Sequence, residues 1–142
     1  AVLMHIDHDK MNFLFLLKPK HDVAFLYDYN TLRQGMEKMR RHGYSAIPVI
    51  REDGTYAGTV SEGDFLWKVV DENACSPKAQ EDYLVRDILR PDWCHPVHIT
   101  ATMHELLQLV TEQNFVPVID DRDAFVGIVT RKDVILYFCE SE

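Results

Sequence analysis

Two four-residue motifs in the chain combine a hydroxyl side chain with a carboxylate. They read Ser61-Glu62-Gly63-Asp64 and Thr130-Arg131-Lys132-Asp133. Each is typical of a helix N-terminus, where Ser or Thr caps the helix and Asp lies in the first turn. The same geometry suits a nucleotide, because free backbone amides bind phosphate and an ionised Asp accepts hydrogen bonds from both ribose hydroxyls. The two roles are compatible, since a capping residue can change partner when a ligand arrives.

The two motifs differ in charge. Arg131 and Lys132 occupy the middle positions of the second motif, and Glu62 and Gly63 occupy those of the first. The chain carries 15 basic and 23 acidic side chains, a net charge of −8, so an anionic ligand needs a local basic cluster or backbone donors. Because Arg can pair with phosphate in a bidentate way, we predict stronger phosphate binding at the second motif. The alternative is that both cations are solvated residues at a helix start.

Both motifs end the two copies of an internal repeat. Residues 47–64 (IPVIREDGTYAGTVSEGD) align without a gap with residues 116–133 (VPVIDDRDAFVGIVTRKD), at a constant offset of 69. Upstream, Thr31 aligns with Thr102 at an offset of 71, and Lys18-Pro19 with Arg90-Pro91 at an offset of 72. The second copy is therefore two residues shorter between its helix and its Pro-Val strand.

Local signals predict the same order of elements in each copy: strand, helix, strand, strand, helix. Thr31 and Thr102 are expected to begin helices, and Gln34 and Glu105 to complete capping boxes with them. The first of these helices is expected to end at Gly43, and Asn114 lies at the same place in the second copy. Asp53-Gly54 predicts a hairpin turn between two strands.

The doubled pattern of Pro-Val strand, Gly-x-Val-Ser/Thr-x-x-Asp turn and amphipathic helix resembles tandem cystathionine-β-synthase (CBS) domains. Such a pair is called a Bateman module, and the resemblance covers residues 13–138. It implies an α/β (α+β) fold of two repeats, each a small three-stranded sheet with two helices, packed with pseudo-two-fold symmetry. The expected division is a leader at 1–10, repeats at 11–70 and 85–142, and a polar linker at 71–84. Met11 is compatible with a native start, which would make the leader a non-native addition.

The resemblance implies a stand-alone regulatory protein rather than an enzyme. Its ligand would be an adenine nucleotide or adenosyl compound, such as AMP, ADP, ATP, S-adenosylmethionine or cyclic di-AMP, bound in clefts between the repeats. No cofactor would be required. The protein would homodimerise through the helices of Trp67 and Tyr137-Phe138 and signal to a separate protein effector. The chain has no Walker loop, nucleophile elbow or Gly-x-Gly-x-x-Gly sequence that would indicate an enzyme.

The resemblance also selects candidate nucleotide-binding residues. The segments before the Pro-Val strands would form the adenine slot, although ordinary core packing is the better reading at each single position. The shortened second copy changes this wall, so the two clefts should not be equivalent. The candidates are Thr130, Arg131, Lys132, Asp133, Val116, Pro117, Ser61, Asp64, Tyr44, Ile47, Pro48 and Thr31.

Charge and cysteine usage exclude other classes of protein. An acidic chain has little long-range attraction for nucleic acid or an anionic membrane. No apolar run approaches the about 20 residues of a membrane span. Three cysteines at unrelated spacings, Cys75, Cys94 and Cys139, favour a reduced, cytoplasmic protein.

Residue types that bind zinc occur in two places. One set is Cys94, His95, His98 and His104, and the other is His5, Asp7, His8 and Asp9 in the leader. A strand through Val97 places His98 and Ile99 on opposite faces, so we predict no metal site.

The main alternative to a ligand sensor is a ligand-free dimerisation or protein-interaction module, whose sequence would look much the same. A metal-dependent enzyme is a remote third hypothesis.

Overall fold

A computed structural model describes residues 12–140 of the chain. The predicted leader, with its His and Asp cluster, lies outside the described residues. In chain order the elements are β1 Lys18–Pro19, β2 Leu26–Tyr27, α1 Leu32–His42, β3 Ala46–Ile50, β4 Tyr56–Ser61, α2 Glu62–Asp71, α3 Pro77–Gln80, β5 Val97–His98, α4 Met103–Val110, β6 Phe115–Ile119, β7 Phe125–Thr130 and α5 Arg131–Glu140. Short 3-10 helices cover Leu14–Leu16, Lys20–Asp22 and Val85–Ile88. The mixed α/β composition and the repeated strand and helix order confirm the predicted fold class.

Internal contacts divide the chain into two compact units. The first unit comprises residues 24–94, and the second comprises residues 12–23 together with 95–140. Residues 12–23, which precede the first repeat, therefore belong to the unit that contains the second repeat. Residues 85–94, which begin the second repeat, belong to the unit that contains the first. The predicted repeat boundaries follow the sequence repeat instead, and they stay a prediction.

The first unit contains a three-stranded sheet in the order β2-β3-β4. β2 is parallel to β3, and β3 is antiparallel to β4. The hairpin between β3 and β4 turns at Gly54, where φ is +90°, as Asp53-Gly54 predicts. Apolar residues from the sheet and from α1 and α2 form one core, which includes Leu26, Leu32, Met39, Ile47, Val49, Val60 and Phe65.

The second unit repeats this sheet with one additional strand. Its order is β1-β7-β6-β5, so the sheet has four strands rather than the expected three. Lys18 and Pro19 of β1 pair with Ile128 and Gly127 of β7. A Cβ atom at Gly127 would overlap the Lys18 carbonyl oxygen, so glycine allows β1 to approach. The core includes Phe13, Val97, Met103, Leu106, Val116, Val118 and Val129.

The helix ends agree with the sequence in the first repeat and only partly in the second. Thr31 and Gln34 form the reciprocal capping box, and Gly43 ends α1 with a left-handed φ of 67°. At α4, Thr102 accepts a hydrogen bond from the Glu105 amide, but the helix already ends at Val110. The expectation that Asn114 marks this end is wrong, because α4 is shorter than α1 and the following residues lead directly into β6.

The predicted linker contains regular structure. Ser76 caps the four-residue helix α3, which has Pro77 at its start. Beyond α3, backbone bonds join Leu32 to Tyr83 and Val85 to Asn30. These bonds hold the chain against the first unit, so that Arg90 and Trp93 lie beside β4 and α2.

Candidate functional site

The first motif is a reciprocal cap at the start of α2. The Ser61 hydroxyl accepts a hydrogen bond from the Asp64 amide at 3.2 Å. In return, Asp64 Oδ2 accepts from the Ser61 amide at 2.8 Å and from the Ser61 hydroxyl at 3.0 Å. This arrangement satisfies backbone donors that a helix N-terminus otherwise leaves unpaired. The structural interpretation of the motif is therefore confirmed.

A guanidinium group also holds the Asp64 carboxylate. Arg90 Nε donates to Asp64 Oδ1 at 2.6 Å, and Arg90 Nη2 donates to Oδ2 at 3.3 Å. Arg90 Cζ lies 4.4 Å from the centre of the Trp93 ring, and Trp93 Nε1 donates to the Thr59 carbonyl at 2.9 Å. The Asp64 side chain is only 9% exposed. Both carboxylate oxygens are thus already bonded to protein groups.

The second motif holds its carboxylate more loosely. The Thr130 hydroxyl accepts from the Asp133 amide at 3.1 Å. Asp133 Oδ2 lies 3.6 Å from Lys18 Nζ, and the Asp133 side chain is 30% exposed. A ligand can therefore reach Asp133 more readily than Asp64.

Arg131 lies against the end of α4 rather than in an open anion site. Its Nε donates to the Val110 carbonyl at 2.7 Å, and its Nη1 donates to Asn114 Oδ1 at 3.0 Å. A cation at a helix C-terminus satisfies carbonyls that the helix leaves unpaired. The predicted bidentate contact with phosphate would require Arg131 to leave these partners.

Each unit has a cavity on the helical side of its motif. In the second unit it measures about 390 Å³ and is lined by Asn114, Thr130, Arg131, Lys132, Ile135 and Leu136. In the first unit a cavity of about 480 Å³ is lined mainly by apolar residues of α1 and α2, with Tyr44 and Glu62. Among the described lining residues of these two cavities, neither Asp64 nor Asp133 occurs. Glu62 of the first motif and Arg131 and Lys132 of the second thus line cavities whose described lining residues do not extend to the motif aspartates.

The candidate adenine residues lie mostly in the cores. Ile47 and Val116 are fully buried members of the two core clusters, and Pro48 and Pro117 are buried beside them in β3 and β6. Thr31 is occupied as the cap of α1, and Tyr44 lines the larger cavity. The structure therefore brings Ser61 together with Asp64, and Thr130 with Asp133, but does not gather the whole candidate set.

Sequence reasoning missed Lys18 and Arg90 as partners of the motif aspartates, and Trp93 as the ring against which Arg90 lies. The signal was present, because Lys18 and Arg90 are equivalent positions of the repeat. Lys18 precedes the first repeat but pairs with Asp133 of the second. Arg90 precedes the motif of the second repeat but pairs with Asp64 of the first.

Other polar groups near these motifs form local structural contacts. Tyr56 shares a 2.7 Å hydrogen bond with Thr59 and donates to the Cys94 carbonyl at 3.3 Å. Burial raises the pKa of both the Tyr56 hydroxyl and the Cys94 thiol, which keeps both groups protonated near neutral pH. His98 Nε2 lies 2.7 Å from Asp121 Oδ1. Within residues 12–140, no three His, Cys, Asp or Glu side chains are grouped to hold a metal ion.

The helices of residues 12–140 are also too short or too polar for a membrane span: none of them could cross a bilayer.

The fold and the two motifs define a protein of two α/β repeats, each with a Ser/Thr-x-x-Asp turn at the start of its last helix. The CBS domain family model matches twice, at residues 16–71 and 85–140. The chain therefore belongs to the CBS domain family and carries two copies of the domain.

Two curated relatives are similar at low identity. Uncharacterized protein MK0525 of Methanopyrus kandleri is 27% identical over 100 residues, which are 69% of this chain and 48% of that protein. The match thus spans about half the length of that relative. Hypoxic response protein 1 of Mycobacterium tuberculosis is 27% identical over 120 residues, which are 83% of this chain and 80% of that protein.

Solved structures share the fold. CbpB in complex with c-di-AMP superposes with a TM-score of 0.84 at 23% identity, covering 93% of this chain and 87% of that chain. CbpB from Streptococcus agalactiae gives a TM-score of 0.78 at 25% identity, covering 98% and 82%. CBSX2 in complex with AMP gives a TM-score of 0.71 at 20% identity, covering 89% and 95%.

Proposed function

We propose that this CBS pair is a regulatory sensor of an adenine nucleotide or adenosyl compound. The observation that carries the proposal is the second motif, whose 30% exposed carboxylate is held by one lysine at 3.6 Å. AMP, ADP, ATP, S-adenosylmethionine and cyclic di-AMP share the adenosine group that this motif would bind. Proteins with the same fold that hold c-di-AMP and AMP support the class of ligand.

The residues of the second motif have complementary roles in this proposal. Asp133 accepts hydrogen bonds from ribose hydroxyls, because an ionised carboxylate only accepts. The Thr130 hydroxyl and the Lys132 amide face the phosphate, which a helix N-terminus favours, while the Arg131 and Asp133 amides donate to the Asn114 carbonyl and to Thr130. Lys132 is exposed and adds positive charge, whereas Arg131 keeps the end of α4 in place.

The ribose contact can distinguish the ligands. AMP offers two free ribose hydroxyls, whereas each ribose of cyclic di-AMP offers only the 2′-hydroxyl, because its 3′-oxygen is part of the phosphodiester. If Asp133 accepts both hydroxyls, then removing either one from AMP should weaken binding by about tenfold, as expected for a hydrogen bond to a charged group. A comparison of AMP with 2′-deoxy-AMP and 3′-deoxy-AMP measures this effect.

Signalling requires partners. We propose that the chain pairs with a second copy of itself and that this dimer acts on a separate protein effector. The helices α2 and α5 expose large apolar side chains, with Trp67 66% exposed; the others are Leu66, Val70, Ile135 and Leu136. Such surfaces are typical of protein interfaces. To change the affinity of the assembly for the effector, the ligand must bind two states of the assembly with different affinities.

The acidic net charge of −8 favours binding to neither nucleic acid nor membrane, and a cytoplasmic location fits this proposal.

A thermal-shift panel on the purified full chain tests the proposal. The panel contains AMP, ADP, ATP, GTP, S-adenosylmethionine, cyclic di-AMP and NAD. A ligand at one hundred times its dissociation constant adds about 2.7 kcal/mol to the free energy of unfolding, which raises the melting temperature by several degrees. We expect at least one adenosine compound to do so, and Asp133→Ala to abolish the shift while Asp64→Ala retains it.

The second candidate function is a ligand-free dimerisation or protein-interaction module. It is favoured by the exposed apolar residues of α2 and α5 and by the cap that already satisfies Asp64. Silence of a well-folded protein across the whole panel, together with a stable dimer in sedimentation experiments, would support this function instead.

A further inference from the structure

We propose that Arg90 determines which of the two motifs binds ligand, by acting as a built-in counter-ion that closes the first motif. The second motif is then the primary site of the chain. This inference rests on the proposed function and extends it to the selectivity between the two motifs.

The contacts of Asp64 leave little for a ligand to use. Its Oδ1 accepts the Arg90 Nε bond at 2.6 Å. Its Oδ2 accepts three bonds, from the Ser61 amide, the Ser61 hydroxyl and Arg90 Nη2. A ribose would have to displace the two Arg90 bonds, in which both donor and acceptor are charged, and replace them with bonds from neutral hydroxyls.

Arg90 is itself held in place from the other side. Its guanidinium lies 4.4 Å from the centre of the Trp93 ring. The Trp93 indole is fixed by its 2.9 Å bond to the Thr59 carbonyl in β4. A planar guanidinium favours such stacking and bidentate pairing at the same time. Displacing Arg90 from Asp64 therefore also disturbs an organised side-chain contact.

Lys18 is the repeat-related counterpart of Arg90, and it makes a weaker contact. Its Nζ lies 3.6 Å from Asp133, whereas Arg90 donates to Asp64 at 2.6 and 3.3 Å; both cations are 50% exposed, but Asp133 is 30% exposed and Asp64 only 9%. A lysine ammonium is a strongly hydrated point charge on a flexible stem, and exposed pairs of this kind contribute little. A ligand can therefore displace Lys18 at little cost, and the two motifs differ in affinity because of their cations.

Isothermal titration of the full chain with AMP, and separately with cyclic di-AMP, tests the inference. We expect one AMP per wild-type chain, and loss of binding in Asp133→Asn. In the double variant Arg90→Ala/Asp133→Asn, the first motif opens and binding returns, at least tenfold tighter than in Asp133→Asn alone. Lys18→Ala is the matched control, and it should change the affinity of the second motif by less than threefold.

A second variant and a measurement of folding complete the experiment. Arg90→Lys gives the first motif the cation of the second and should restore weaker binding in the Asp133→Asn background. Circular dichroism melts show whether each variant is folded. If the wild type binds and the double variant does not bind better than Asp133→Asn, Arg90 does not close the first motif and the inference is wrong. Two equal AMP sites in the wild type would also overturn it, and silence of every protein with both probes would overturn the proposed function as well.

Discussion

In the first repeat, the motif aspartate is enclosed by its own capping box and by a bidentate guanidinium that stacks on Trp93. In the second repeat, the equivalent aspartate faces one lysine at 3.6 Å and keeps 30% of its surface exposed. Both motifs cap a helix with a hydroxyl and end in an aspartate, although their middle residues differ in charge. The difference arises from one residue that lies outside the motif, at the same repeat position in both copies. A shared Ser/Thr-x-x-Asp motif thus does not establish equal availability to a ligand.

The helical sides of the two repeats differ as well. The first repeat ends α1 with a left-handed glycine, Gly43. The second repeat has a shorter α4, whose last carbonyl accepts a bond from Arg131. In the sequence Arg131 suggests an anion site. In the structure its side chain satisfies the carbonyl at the end of α4, where the first repeat has a glycine.

The largest contrast in stability is expected between Gly127 and Gly58. These glycines lie against Lys18 and Leu89, in the segments that precede β2 and β5. A Cβ atom at Gly127 would overlap the Lys18 carbonyl oxygen, whereas one at Gly58 would meet only the Leu89 side chain at 3.1 Å. Both have φ values that favour glycine, +156° and +150°. We expect Gly127→Ala to lower the free energy of unfolding by about 3 kcal/mol and Gly58→Ala by about 1–2 kcal/mol. Urea denaturation of both variants measures the difference, and equal losses would show that β1 does not constrain Gly127.

A smaller contrast is expected at the position after the capping hydroxyl. Arg131→Ala removes two bonds to the end of α4 and should lower the free energy of unfolding by about 1.5 kcal/mol. Its repeat equivalent, Glu62→Ala, should cost at most about 0.5 kcal/mol. The same denaturation experiment tests both. A loss of affinity for AMP in Arg131→Ala without any loss of stability would instead favour the phosphate contact predicted from the sequence.

The smallest effect is expected in the hairpin loops, where the two repeats should behave alike. Bonds from the Thr55 hydroxyl and amide lower the pKa of Asp53, and bonds from the Arg122 and Ala124 amides lower the pKa of Asp120. A carboxyl with a lowered pKa stabilises the folded protein above its ordinary pKa, and this contribution is lost as the pH falls through the folded value. Asp53→Asn and Asp120→Asn should each make the urea midpoint less sensitive to pH below about 4. Glu52→Gln is the control for removing one charge, and an unchanged pH profile in both Asp variants would contradict the assignment.

Much of the fold could be predicted because its signals are local. The capping box at Thr31, the helix cap at Ser61 and the turn at Gly54 each depend on residues a few positions apart. The pairing of β1 with β7 joins Lys18 to Ile128, and no local pattern in the segment indicates that partner.

The candidate site could be predicted only in part for the same reason. The hydroxyl residue and the aspartate of each motif are three positions apart in sequence, and in the structure the aspartate amide donates to the hydroxyl. Their cations are distant in sequence, so Lys18 and Arg90 were visible as equivalent positions without a role. Arg131 stays a predicted phosphate ligand, and its bond to the Val110 carbonyl could not be predicted, because only the folded chain brings Arg131 to the early end of α4.

A crystal structure of the full chain with AMP tests the central claim most directly. The account predicts AMP at the second motif, with its ribose hydroxyls on Asp133 and Lys18 displaced, while Arg90 still holds Asp64 in the first. AMP bound at Asp64 with Arg90 moved aside, and an unoccupied second motif, would contradict it.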